Sequence, residues 1–546
     1  MTDLERKLAL LKKLREREQA GEPTAEKQPK IPPVDRSQPI PLAYGQERIW
    51  LLDRLAPGKN AFNMPCSMRL IGDLDTDALL GAVRAVIAHH EAMRTTFAEV
   101  DGLPRQIIRD AEWIEVPVED LRSLPEDERQ RRAHDAWNDV TNAPFDLDGG
   151  PLYRARIVRV ADDEHHLLQT IHHIVSDGWS LDVLLRDLGE CLKATRSGET
   201  PRLEPLPIQY VDFVAWQKER LRGETLDAMI RYWREQLDGA PQSLALPTDR
   251  PRPAVSANLG VFLESRLPTT LIDRLEAIAR SERTSLYMVL LAGFAILMSR
   301  LAGQDDVLIG SPNAGRDQIE TERLIGFFLN TLVLRCQVDP TADFSTLLAQ
   351  VRSTVLGANE NQDIPFEKLL EELQPERNLS QNPFFQVLFN MVNLPDSEAD
   401  LQDLTIEGLG VEGIDSKFDL TFYIQEAPTS RGGGHYVHLS YDAELFDRAR
   451  MTELLSQYAR LLEQVAVDPR RAIGAVSLVT ESAREVLPDP TAPLDDAWRG
   501  TIAAAMAGHA AEHPDAPAVI DVTGKVSFAE TTARSGRIAR SLIDAG

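Results

Sequence analysis

The stretch IHHIVSDGWS, Ile171–Ser180, decides how the rest of the chain is read. The apolar run Leu167–Ile171 leads into it as a buried strand, and Asp177-Gly178 is a turn signal. Neighbouring side chains on a strand point to opposite faces, so His172 and His173 cannot share one cavity. One imidazole is a candidate for chemistry and the other packs or hydrogen-bonds on the far side. Three plainer readings stand beside this one. A histidine pair on a strand is often packed and satisfied, and Asp-Gly alone is most often a turn. His-His-x-x-x-Asp also has ligand types for a metal, but zinc sites want three or four convergent ligands. No second His/Cys cluster stands out along the sequence, which weighs against a metal.

Composition narrows the company this stretch keeps. At 546 residues the chain is too long for one ordinary domain, and its apolar and charged fractions are those of a globular protein. A formal net charge of −26 argues against nucleic acid as the main partner. No apolar run is long enough to span a bilayer and the N-terminus is charged, so no membrane partner and a cytoplasmic location are expected. Cys66, Cys191 and Cys336 lie far apart and outline neither a disulfide framework nor a zinc ribbon.

Residues 1–20 carry Leu4, Leu8 and Leu11 as one apolar stripe among charges, with Thr2 and Glu5 at capping-box spacing. Such a helix either packs on its own domain or docks another polypeptide. A Pro/Lys/Gln-rich linker follows, so 1–39 is read as helix plus linker. The body 40–209 mixes helical patterns (Pro41–Leu55, Asp75–His90) with strands (Cys66–Gly72, Leu152–Val160) around the histidines. The body 210–484 opens with the helical YVDFVAWQKE and carries the strongly apolar helix Ser285–Leu301. Strands at Asp305–Pro312, Leu324–Cys336, Phe384–Asn393 and Val437–Asp442 and a helix at Arg448–Val465 complete it. The fold class expected is mixed α/β. Residues 485–499 read as a proline-marked linker, and 500–546 as a further unit too short to bury a sufficient core. The expectation is a piece of something longer.

Seven blocks in order give the chain a resemblance. LAYGQERIWLL, HHEAMRTTF, IHHIVSDGWS, YVDFVAWQ, IGFFLNTLVLR, NQDIPFE and RNLSQNPFFQVLF together resemble a condensation domain of a nonribosomal peptide synthetase, over nearly all of Pro41–Val479. The closing stretch His513–Gly546 looks like the opening of an adenylation domain, with Val526–Thr531 an altered form of that family's Leu-Thr-Tyr-x-Glu-Leu block. The first two blocks look most like the subtype joining an L-donor to an L-acceptor.

The resemblance implies two chloramphenicol-acetyltransferase-like lobes, 40–209 and 210–484, in a V with a central tunnel. It implies an acyltransferase: the amine of an acceptor aminoacyl group attacks a donor aminoacyl or peptidyl thioester, and an amide forms. No cofactor is bound directly; both substrates ride on phosphopantetheine of donor and acceptor carrier domains. The upstream subunit would be reached through Met1–Ala20, and an adenylation domain would follow in the same longer chain. Among residues, His173 is implied to face the tunnel as the catalytic histidine, with Gly178 beside it offering a close approach or a backbone amide. His172 and Asp177 are structural, and Asp177 is expected to pair with Arg94. Asn330, Gln362 and Asp363 are expected to shape the loops bridging the tunnel, and Trp179 to belong to the core. Two other readings of the same blocks are a stand-alone acyltransferase and a silent domain that recruits carriers.

Overall fold

A computed structural model describes residues 31–546 except 56, 254–258, 376–380, 393–403, 410–415, 428–432, 490, 494–497, 499 and 522–523. The expected helix over 1–20 lies outside the described residues. From Ile31, itself buried, the stretch expected as linker is fastened down: the Val34 N–H donates to Asp212 at 2.7 Å, and Arg36 bridges Asp212 and Glu91. Residues through Thr480 form one compact unit and Glu481–Gly546 a second.

The first half of the larger unit opens with helix α1 (Tyr44–Leu55), strands β1 (Asn63–Pro65) and β2 (Met68–Ile71), and helix α2 (Thr76–His89). Asp75 caps α2 by accepting from the Asp77 N–H. Strand β3 (Val118–Asp120), helix α3 (Glu126–Asn142) and the hairpin β4 (Tyr153–Ala161)–β5 (Glu164–His172) follow, and helix α4 (Gly178–Arg196) comes directly after the histidines. Period-two alternation explains the layering. On β4, Ala155 and Ile157 join the core beneath α2 and α4, whereas Val158 and Val160 join Ala133, Ala136 and Val140 of α3 on the other face. Covered on both sides, β5 is buried without a break from Leu167 to His172.

The second half builds its own sheet from β6 (Gly260–Leu267), β7 (Asp306–Asn313), β8 (Asn330–Gln337), β9 (Val387–Val392), β11 (Leu420–Glu426) and β12 (His435–Asp442), in the order β8-β7-β9-β11-β12-β6. Helix α5 (Leu286–Ala302) is apolar all round and buried from Met288 to Ser299, as expected of a helix inside a core. Ser285 caps it and Gly303 ends it in the left-handed region at φ 64°. Helices α6 (Phe344–Glu360) and α7 (Arg448–Val467) pack on the same core.

Strand β10 (Thr405–Gly408) does not stay with this sheet. It pairs antiparallel with β2, Thr405 opposite Ile71, so the first sheet reads β10-β2-β5-β4-β3 with β1 also on β5. The two sheets contain both parallel and antiparallel pairs, and the fold is mixed α/β as expected. Tyr210, Phe213, Leu324, Ile325 and Phe328, from beyond position 209, complete the first core.

The smaller unit holds helix α8 (Ile502–Glu512), hairpin β13 (Pro517–Asp521)–β14 (Gly524–Ser527) and helix α9 (Phe528–Asp544). Among the described residues no single helix is long and apolar enough to cross a membrane.

Candidate active site

At the end of β5 the two imidazoles part company. His172 is 4% exposed, sits among the rings of Phe62 and Phe145, and accepts the Ile174 N–H on Nδ1 at 3.2 Å. Burial, helped by the charges of His173 and Lys417, pulls its pKa down to about 3. It is a packed, neutral histidine.

His173 begins a short 3-10 turn, and its Nδ1 lies 2.8 Å from the Ser176 carbonyl oxygen. A carbonyl only accepts, so Nδ1 carries the proton and Nε2 keeps a lone pair. The ring meets Phe327 edge-on at 5.1 Å. Burial first, and then the ammonium of Lys417, draw this imidazole down to about 4. At neutral pH it is uncharged, with a lone pair on Nε2 that accepts a hydrogen bond, and it is a weaker base than an exposed imidazole.

Asp177 fixes the turn. As the cap of α4 its Oδ1 accepts the Ser180 N–H at 2.8 Å, and its Oδ2 accepts the Phe328 N–H at 3.0 Å. Its cationic partner is Arg316, with Nη2 3.2 Å from Oδ1 and both side chains all but fully buried. Arg316 also donates to the carbonyls of Thr321 and Leu324 and to the Ser180 hydroxyl. This corrects the expected pairing with Arg94, which donates instead to the Arg109 carbonyl at 2.6 Å. Arg94 heads the hairpin strand Thr95–Val100, whose ladder holds it beside Arg109; Arg316 lies three residues past the end of β7 at Asn313 and enters the turn from the other half.

Gly178 is the first residue of α4, where backbone N–H groups have no intrahelical acceptor. A Cβ built there would meet nothing within 4 Å. The fold does not require this glycine, and the space in front of it is open. Gly326 is the opposite case: an added Cβ would strike the Tyr210 ring at 2.1 Å, so only glycine allows that packing. Trp179 is partly buried and donates to the Glu322 carbonyl at 2.9 Å, another tie between the halves.

The three loop residues do come together. Asn330, at the start of β8, donates to the carbonyls of Gln362 and Ile364 and accepts the Phe366 N–H. Gln362 accepts from Asn313 and donates to Asp317, and Asp363 takes Arg220 at 2.8 Å. They line a narrow cavity of about 60 Å³ together with Tyr44, Trp216 and Phe327. Phe327 touches His173 with the same ring that walls this cavity. Sequence reasoning missed Arg316, Ser180 and the direct part of Phe327; Ser180 and Phe327 lay within quoted blocks, and Arg316 lay in none.

A second histidine cluster also escaped it. His89, His90 and Asp187 bring ligand-type atoms within 4.8 Å of one another. His90 Nε2 lies 2.8 Å from Asp187 Oδ2, with both side chains 1% exposed, and Arg186 reaches the same carboxylate at 3.3 Å. Burial opposes ionisation of Asp187, yet the His90 bond and Arg186 hold its pKa below the usual range. These partners already satisfy the carboxylate.

Comparison with known proteins adds three likenesses. The condensation domain family matches residues 36–487. A linear gramicidin synthase protein of Brevibacillus parabrevis is 40% identical over 530 residues, covering 96% of this chain and 7% of that protein. Phosphinothricin tripeptide synthetase PhsB of Streptomyces viridochromogenes is 37% identical over 547 residues, covering 98% of this chain and 46% of that protein. The chain thus spans less than half the length of these curated relatives. The crystal structure of the X-domain from teicoplanin biosynthesis superposes with a TM-score of 0.72 at 30% identity, covering 82% of this chain and all of that one.

Proposed function

The chain belongs to the condensation domain family, and from that premise we propose that it forms an amide bond between two carrier-bound aminoacyl groups. The observation that carries this is the tautomer of His173: Nδ1–H is spent on the Ser176 carbonyl, which leaves Nε2 to accept a proton. The acceptor's α-amine has a pKa of roughly 7.7–8.0, so about a tenth is neutral near pH 7 and a strong base is unnecessary. As nitrogen bonds to the thioester carbonyl carbon, a proton leaves nitrogen and His173 Nε2 takes it or hydrogen-bonds it. The tetrahedral adduct then expels the pantetheine sulfur, which departs as a thiol once protonated. Acid–base help of this kind is typically ~10²–10⁴-fold, whereas holding both reactants in place is worth effective molarities of ~10⁵–10⁸ M. Positioning is the larger share. The Asp177–Arg316 junction serves it by locking the turn that aims His173.

Several finer readings belong to this proposal. Donor and acceptor carrier domains deliver phosphopantetheine thioesters into a tunnel between two lobes, 40–209 and 210–484, and Asn330, Gln362 and Asp363 shape its bridging loops. The substrates are of the L-donor, L-acceptor type, which the wording of HHEAMRTTF and GQERIWLLDRL supports. Residues 1–20 dock an upstream subunit, 500–546 open an adenylation domain, and the protein works in the cytoplasm.

A reconstituted reaction read by intact mass tests the core of it. A loaded donor carrier and an aminoacyl acceptor carrier are mixed with the wild-type chain or with His173→Ala. Amide on the acceptor, falling at least tenfold with the variant, is the expected result. An unchanged yield would leave His173 a bystander. No amide from any donor, with carriers still bound, would favour a recruiting role instead.

A further inference from the structure

A second cavity, of about 230 Å³, opens between α5, β7, β8, β9 and α6. It is smaller than the ~300–1,000 Å³ typical of small-molecule sites and has room for one side chain. Its apolar wall includes Met288, Leu332, Leu334 and Met391. Its polar groups are the exposed Ser285 and Asn359, the half-buried Asn313 and Asn390, and the part-buried pair Tyr287 Oη–Ser311 Oγ, 2.6 Å apart. Among the described lining residues there is no Lys, Arg, His, Asp or Glu. Burial pushes the Tyr287 phenol above its ordinary pKa, so that group also stays neutral.

The cavity is tied to the reacting end of the molecule. Asn313, at its rim, donates to Gln362 Oε1 and accepts the Gly315 N–H at 2.7 Å. The next residue is Arg316, which holds Asp177. Across the β7–β8 ladder Asn313 faces Asn330.

We propose that this cavity receives the side chain of one of the two aminoacyl groups and selects an uncharged one able to hydrogen-bond, such as an amide or a hydroxyl. The proposal rests on the condensation reading for the identity of its ligand. A carboxylate or ammonium entering here would lose its hydration and find no opposite charge. An amide or hydroxyl would find the Asn and Ser/Tyr groups, and a site of that kind discriminates on polar pairing.

The isosteric pair asparagine and aspartate separates charge from size. The full chain is assayed with a fixed neutral donor while the acceptor is asparaginyl or aspartyl, and then with the roles exchanged. At least a tenfold preference for asparagine in one arm is expected. Asn390→Asp should cut that preference and raise lysyl or ornithinyl turnover at least tenfold in the same arm. In parallel, ¹³C-methyl signals of Met288 and Met391 are followed while non-reactive asparaginyl- and aspartyl-pantetheine amides are added. Shifts with the asparaginyl compound alone are expected. Equal turnover of both residues in both arms overturns the proposal, as do methyl signals that ignore an analogue of a working substrate. If no amide ever forms but the methyls still discriminate, the cavity assignment stands and the condensation reading falls.

Discussion

The molecule contains the same local construction twice. In the first half the hairpin β4–β5 runs into the 19-residue helix α4; in the second, β11–β12 runs into the 20-residue α7. Each helix is preceded by an aspartate. Asp177 caps α4, is buried, and spends its second oxygen and its ion pair on residues of the other half. Asp447 precedes α7 with no side-chain cap bond, is 56% exposed, and meets the half-exposed Arg250. Strand β5 ends on a histidine, whereas β12 ends on Tyr441-Asp442. A hairpin feeding a helix is therefore only a platform. What makes the first copy a candidate site is that its cap is shared across the halves.

That contrast is breakable. Arg316→Met leaves the Asp177 carboxylate buried without its cation, and breaking one side of such a pair costs about 3–5 kcal/mol. Arg250→Met, at the exposed counterpart, should cost under about 1 kcal/mol. Denaturant midpoints of the two variants measure the gap, and equal midpoints would erase the distinction.

Acid sharpens it next. The two imidazoles titrate at about 3 and about 4 in the fold and near 6.5 in the unfolded chain. The unfolded state binds more protons, so their stabilising effect is complete above about pH 6.5 and is lost as pH falls toward 4. Each contributes a slope of up to roughly 1.4 kcal/mol per pH unit. His172→Gln should flatten the fall in denaturant midpoint between pH 7 and pH 5, and an unaltered slope would refute the assignment.

Gly178→Ala tests the open space before α4. Replacing glycine where nothing crowds the new methyl stabilises by about 0.4–1 kcal/mol. If the proposed approach of substrate to the open space before α4 is right, amide formation should nonetheless fall, because the methyl enters that space. A variant that is both stabler and fully active would show that substrate does not approach there.

The smallest effect is expected at Arg94. Arg94→Met removes one hydrogen bond to a carbonyl, worth about 1 kcal/mol, and should leave the rate within twofold. A loss matching that of Arg316→Met would restore the discarded pairing.

What could be read in advance followed the strength of local periodicity. The apolar helix expected over Ser285–Leu301 lies at Leu286–Ala302, and the strand before the histidines lies where the Leu167–Ile171 run put it. Helix α3 escaped notice because its sequence is mostly charged and it buries little beyond Ala133, Ala136 and Val140. Strand β10 carries no pattern at all, since all four of its residues are exposed. The partner of Asp177 was illegible for a different reason. Arg316 lies 139 residues away, and no local spacing distinguishes it from the arginine of HHEAMRTTF. Strand alternation, by contrast, predicts different surroundings for His172 and His173, and the strand in fact ends at His172, with His173 beginning the 3-10 turn.

The placement of β10 also has a cost in time. Until Thr405–Gly408 has been made, β2 is the bare rim of the first sheet, its N–H and C=O groups without their eventual partner. The sheet it borders exists in sequence only once β5 ends at His172, so roughly 230 residues remain to be added at about 5–20 per second, and the rim stays unguarded for on the order of 10–50 s. During that interval the nascent first half is most open to pairing with a neighbouring nascent chain, and synthesis rate becomes a determinant of how much correctly closed protein is made.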